Sequence, residues 1–220
     1  MTPYYPIYVD LRGRRCVVVG GGTVAARKVD GLLECGAEVT VVAPILGPVL
    51  KEYLRAGRIA AHLRAYADGD LAGACLAIAA TDEPAVNGQV AAEARARGVL
   101  LNAADDPERC DFILPAVLRR GDLQIAISTG GRSPALARRV REDLERLLPP
   151  EYLELLPLLA DLRAELRQEG AVVPPERWHD AVDGTVLARL RAGDYAGARA
   201  YLRASLLVEP VVIPRAPVDA

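Results

Sequence analysis

Residues 15–26 read Arg15-Cys16-Val17-Val18-Val19-Gly20-Gly21-Gly22-Thr23-Val24-Ala25-Ala26. An apolar run of strand length ends in G-x-G-x-x-A, and Val24, Val29, Leu32 and Leu33 follow at helical spacing. A buried strand that turns on glycines into a helix is the phosphate end of a dinucleotide fold. Gly20 permits the tight turn, and Gly22 lacks the Cβ that would block a pyrophosphate. Ala25 lets helix and strand pack closely. The helix N-terminus then offers unbonded N–H groups and a partial positive charge to phosphates. Gly20, Gly22, Thr23 and Val24 are therefore the expected cofactor contacts. A glycine-rich turn alone is often only a turn; the strand before it and the helix after it give this one its weight.

Outward from this unit, strand and helix alternate up to about residue 110. The spacing predicts strands over 15–20, 38–42, 59–66, 75–80 and 99–103. It predicts helices over 23–35, 46–57 and 84–97, with Gly36, Gly57 and Gly98 as stops. Such repetition demands a parallel sheet with helices on both faces, and open sheets of that kind bind ligands at their strands' carboxyl ends. Residues 20–24, 43–45, 80–82 and 102–106 thus gather at the expected site. The second strand ends Val42-Ala43-Pro44-Ile45, with no acid for ribose hydroxyls and no arginine for a 2′-phosphate. The residues alone therefore leave NAD and NADP open. Pro44 and Ile45 are the expected contacts there, and Thr81 and Asp82 the expected partners of the ribose or nicotinamide side.

The character changes after Asp111. Residues 112–118 and 123–128 are strand-like runs joined by Arg119-Arg120-Gly121-Asp122, as in a hairpin. Ser128-Thr129-Gly130-Gly131-Arg132-Ser133-Pro134 then leads into an arginine-rich helix that ends near Leu147, before Pro149-Pro150. Several short helices are expected beyond, with a loose tail over the last ten residues. The expected division is a Rossmann-type α/β domain over 1–112, a central strand-helix dimerisation segment over 113–149, and a small helical domain over 150–220.

Composition bounds the function. The chain has 220 residues and a formal net charge of -2, so no global basic field points to nucleic acid or to an anionic membrane surface. No apolar stretch reaches the length of a membrane helix, and Met1–Pro6 lacks the pattern of a signal peptide. Cys16, Cys35, Cys75 and Cys110 are scattered without a C-x-x-C, which reads as packed thiols in a reducing cytoplasm. His62 and His179 are too isolated to build a metal site, and none is expected.

Several blocks together carry a family resemblance. Residues 6–11 read Pro-Ile-Tyr-Val-Asp-Leu, and the glycine turn extends to Arg27-Lys28. Further blocks are Ile78-Ala79-Ala80-Thr81-Asp82, Asn102-Ala103-Ala104-Asp105, Phe112-Ile113-Leu114-Pro115-Ala116, and the run from Ile127 through Ser128–Pro134 to Ala137. In that order the chain resembles precorrin-2 dehydrogenase, the dehydrogenase/ferrochelatase module of siroheme synthase, over roughly residues 5–145. The methyltransferase half of the fused enzymes is missing from this sequence, which makes a stand-alone enzyme the expectation. The resemblance implies NAD-dependent oxidation of precorrin-2, an eight-carboxylate macrocycle, to sirohydrochlorin. It leaves open whether Fe²⁺ is also inserted, and it implies a homodimer.

The matching aspartate, Asp105, is implied in both activities. A carboxylate there takes the proton lost with the hydride, or the pyrrole protons as a metal enters. Asp106, ahead of Pro107, reads as a turn residue. Asn102 reads equally as a ligand contact or as a strand-end amide bonded to backbone. Ser128, Thr129, Gly130, Gly131 and Arg132 are the expected contacts of the polyanionic substrate. Arg119, Arg120, Arg138, Arg139 and Arg141 complete the one basic concentration, although Arg139 and Arg141 read as a solvated helix face.

Overall fold

The computed structural model describes residues 4–104 and 106–207. The expected loose tail lies outside them.

The first strand, β1 (Arg15–Val19), runs into helix α1 (Thr23–Glu34), then β2 (Glu38–Val42) and α2 (Pro48–Arg55). The third strand β3 (Ala60–His62) covers three residues of the eight expected. It is followed by β4 (Leu76–Ala79), α3 (Pro84–Arg97) and β5 (Leu100–Ala103). All five strands are parallel, in the order β3-β2-β1-β4-β5, so the strand order reverses between β1 and β4. That reversal is where an open α/β sheet forms its ligand crevice.

Near-continuous Val, Ile, Leu and Ala in the strands follow from burial on both faces. Cys16, Val18, Val39, Val41 and Ile78 pack against Ala25, Val29 and Leu32 of α1 and Leu50 of α2. The alternate residues Val17, Val19, Val42, Ala77 and Leu101 pack on the other face, against Val90 and Ala94 of α3. Helices thus cover both faces, as the alternating pattern requires. Cys16 and Cys75, at the start of adjacent strands, bring their sulfurs to 3.9 Å without a disulfide. Burial, with Cys75 nearby, pushes the Cys16 thiol up to about 12.

Strands β6 (Ala116–Arg120) and β7 (Leu123–Ile127) form an antiparallel hairpin around Gly121. Helix α4 (Pro134–Leu147) follows, then α5 (Tyr152–Gln168), α6 (Pro175–Ala181), α7 (Gly184–Arg191) and α8 (Tyr195–Leu207). Four helices follow Pro149-Pro150, but α5 is 17 residues long and keeps Pro157 inside it. Leu155, Leu162 and Leu166 of α5 pack with Val186, Leu190, Ala198 and Leu202 in one apolar core, and that burial outweighs the single missing N–H. Asp183 caps α7, its Oδ1 accepting the N–H groups of Thr185 and Val186.

The chain divides into two compact units. One holds residues 1–115 with 128–134, the other 116–127 with 135–220. The central part of the sequence is shared between them. Among the described residues, no helix is long and apolar enough to cross a membrane.

Candidate functional site

At the carboxyl end of β1 the chain turns on glycines. Gly20 adopts φ +130°, and a Cβ there would lie 2.2 Å from the Ala80 carbonyl oxygen at the end of β4. The two central strands therefore meet edge to edge at the switch point, and only glycine fits. Gly21 is closed off from the other side. A Cβ on it would stand 1.9 Å from the Ile45 carbonyl oxygen, and its own carbonyl accepts the Gly47 N–H at 2.8 Å. The loop after β2 is thereby strapped to the glycine turn.

Gly22 differs from both. Nothing lies within 4 Å of a Cβ built on it, and it is the N-cap of α1 with extended backbone and no side-chain cap bond. No acidic residue occupies the first turn of α1. The amides of Thr23 and Val24 thus lie in an uncapped, exposed first turn that accommodates an anion through N–H groups and the helix dipole. The close-packed turn and the open, uncapped helix start fit a dinucleotide's pyrophosphate.

Pro44 and Ile45 border this turn, and Ile45 is 77% exposed, an apolar face that the fold leaves to solvent. Thr81 sits on the β4 side, where its hydroxyl accepts the Glu83 N–H and its carbonyl accepts the Asn87 side-chain N–H at 2.9 Å. Asp82 is exposed beside it. The structure brings Gly20, Gly22, Thr23, Val24, Pro44, Ile45 and Thr81 to the carboxyl ends of the adjacent strands β1, β2 and β4, with Asp82 next in the chain.

Asn102 is more deeply engaged. It is buried in β5, and its amide donates to the Phe112 carbonyl at 3.0 Å. Asp111 works alongside it, taking the Leu101 N–H on its carboxylate while its own N–H goes to the Leu101 carbonyl. Residues 110–112 are so held against the outer edge of β5. Cys110 completes the tie, with its sulfur 3.2 Å from both the N–H and the carbonyl of Ala103, and burial raises its pKa. Asp105 lies outside the described residues. Asp106 heads the 3-10 turn Pro107–Arg109 and pairs with Arg109 at 3.1 Å, the turn role expected of it.

The segment 128–134 groups with the sheet unit. It is folded on itself: the Ser128 hydroxyl accepts the Gly130 N–H, and the Thr129 hydroxyl both accepts the Ser133 N–H and donates to the Ser133 carbonyl. Gly130 and Gly131 both have positive φ, and Arg132 is exposed. On α4, Arg139 pairs with Asp143 and Arg141 with Glu145, the solvated helix face read from the sequence. Among the described residues, no group of three His, Cys, Asp or Glu side chains is placed to hold a metal.

Sequence reasoning missed three contributors. Gly21 and Gly47 received no role, because their fit depends on a contact between two loops 26 residues apart in number (21 to 47). Asn87 was also passed over, although an Asn in the first turn of a helix that follows a strand end is a signal for such backbone ties.

Known proteins share this arrangement. A family model described as "Putative NAD(P)-binding" matches residues 7–116, half of the chain, and one described as "Sirohaem biosynthesis protein central" matches residues 120–147. The siroheme synthase of Nitrosococcus oceani is 42% identical over 205 residues, covering 92% of this chain and 44% of that protein. That of Methylobacillus flagellatus is 41% identical over 196 residues, covering 88% and 42%. The chain thus spans less than half the length of these curated relatives. A solved structure titled "SirC, precorrin-2 dehydrogenase" superposes with a TM-score of 0.71 at 29% identity, covering 90% of this chain and 98% of that one.

Proposed function

Because the chain belongs to the NAD(P)-binding family of siroheme synthase and precorrin-2 dehydrogenase, we propose that it oxidises precorrin-2 to sirohydrochlorin with NAD. The observation that carries this reading is the likeness to the precorrin-2 dehydrogenase structure, which extends over 98% of that chain and includes the sheet that forms the crevice. The nicotinamide cofactor supplies a hydride acceptor when bound. The amides of Gly22, Thr23 and Val24 would hold its pyrophosphate, Pro44 and Ile45 would border its adenosine half, and Thr81 and Asp82 would serve the ribose and nicotinamide side. NAD rather than NADP is what the family resemblance implies, since the end of β2 carries neither an acid for ribose hydroxyls nor a cation for a 2′-phosphate.

Asp105 is the base in this scheme. It follows β5 in the chain and takes the proton that leaves with the hydride. Ser128, Thr129, Gly130, Gly131 and Arg132 form the turn that meets substrate carboxylates, with the Ser128 hydroxyl proton and the Arg132 guanidinium as its donors. Should Fe²⁺ insertion follow, the same carboxylate takes the pyrrole protons, and Fe²⁺ is substrate rather than a resident metal. The enzyme works as a homodimer in the cytoplasm, apart from nucleic acid and membrane. The hairpin β6–β7 has only two strands, and a second copy would extend its pairing.

Anaerobic incubation with precorrin-2 tests the reading: NADH absorbance grows with NAD and far more slowly with NADP. NAD binding without turnover would instead mark a nucleotide-sensing module, and faster turnover with NADP would reverse the cofactor assignment.

A further inference from the structure

The helical unit carries a cavity of about 380 Å³ beside the connection from α5 to α6. Its apolar lining includes Leu166, Val173 and Trp178, with Val172 94% exposed beside them. Two cations line the same cavity: Arg163 and Arg167, one turn apart on α5. No acid is among the lining residues. Several other arginines of this unit find carboxylates. Arg199 and Arg203 take Glu165, Arg203 also takes Glu169, and Arg191 takes Glu151. Glu165 and Glu169 are therefore committed to α8, and among the described residues neither Arg163 nor Arg167 has a carboxylate partner. Like charges at i, i+4 repel, so this pair costs the helix stability that its own fold does not return. Arg167 offsets part of that cost at the helix C-terminus; Arg163 lies too far from the end to do so.

We propose that this cavity is a second binding site, for one edge of a tetrapyrrole polycarboxylate. Two guanidiniums at one rim match two carboxylate arms, and the indole and valine surface matches the apolar ring between them. The volume takes an edge of the macrocycle rather than the whole of it. The ligand's identity rests on the proposed function, whose substrate and product are both such macrocycles. The site holds the macrocycle outside the catalytic crevice, before or after turnover.

Trp178 is the only tryptophan in the chain, so its emission reports on this cavity alone. The probe is uroporphyrinogen III, a colourless octacarboxylate macrocycle, titrated anaerobically into the full chain. A saturable shift of Trp178 emission is expected. Arg163→Gln/Arg167→Gln is expected to weaken it about tenfold or more, the cost of losing hydrogen bonds to charged groups. The double variant keeps wild-type NAD affinity and wild-type turnover of precorrin-2. Both positions are exposed, so the fold should survive; if thermal unfolding says otherwise, Arg163→Gln alone still weakens the shift several-fold. No saturable shift in the wild type, or unchanged affinity in the variants, overturns the proposal. Equal affinity for decanoate overturns the macrocycle assignment. A saturable shift with no oxidation of precorrin-2 overturns the dehydrogenase reading instead and leaves a polycarboxylate site.

Discussion

Three adjacent glycines do three different jobs, and substitution separates them. Gly20 and Gly21 are pressed against backbone oxygens of Ala80 and Ile45, so Gly21→Ala must part the two loops. We expect it to lower unfolding stability by about 1–3 kcal/mol, the usual cost of overpacking, and to abolish nicotinamide binding. Gly22→Ala meets nothing in the fold and sits in extended backbone. Its unfolding midpoint should match the wild type while NAD affinity falls about tenfold, because the methyl group enters the space meant for phosphate. Calorimetric unfolding and NAD titration of both variants decide the matter; equal stability losses would deny Gly22 its role. For Asp105→Ala we expect dehydrogenation to fall by about 10²–10⁴, with NAD affinity kept and any Fe²⁺ insertion lost. Near-full turnover would make Asp105 a turn residue. The sequence assigned Gly20 and Gly22 from spacing alone, since their duties follow from a local turn. It was silent on Gly21, whose neighbours arrive from another loop, and it left Asn102 open between ligand and backbone duty. The structure engages that amide with the Phe112 carbonyl.

At the scale of elements, apolar periodicity located all seven strands to within a few residues. It overextended β3, because residues after His62 serve a polar tie instead of the ladder. There the Arg64 guanidinium grips both oxygens of Asp70 at 2.7 and 2.6 Å, and Asp70 also accepts the Ala67 N–H. The guanidinium, aided by that N–H, holds the Asp70 carboxyl down at about 2. The folded value thus lies below the unfolded one of about 4. The stabilisation is complete above the unfolded value and disappears as pH falls from about 4 to about 2. Urea titrations across that window should show an acid-side loss in the wild type that shrinks in Arg64→Gln; identical acid limbs would refute the tie. Helix α5 runs longer than the short helices expected from the sequence, because three buried leucines fix it. Leu162, fully buried, should cost about 2–5 kcal/mol as Leu162→Ala, the loss falling on the helical unit while NAD binding by the sheet persists.

At the scale of the molecule, the segment 128–134 groups with the sheet that carries the glycine turn, although helical residues follow it directly. The chain order alone could not show this, because which unit a loop joins is decided by contacts distant in sequence. The dimer assignment predicts a species of twice the 23.5 kDa chain mass in sedimentation at micromolar concentration, and a lone 23.5 kDa species would remove it. The central claim is the reaction itself. Purified protein mixed anaerobically with precorrin-2 and NAD should yield NADH and sirohydrochlorin in equal amounts. Bound NAD, intact precorrin-2 and no NADH would contradict it.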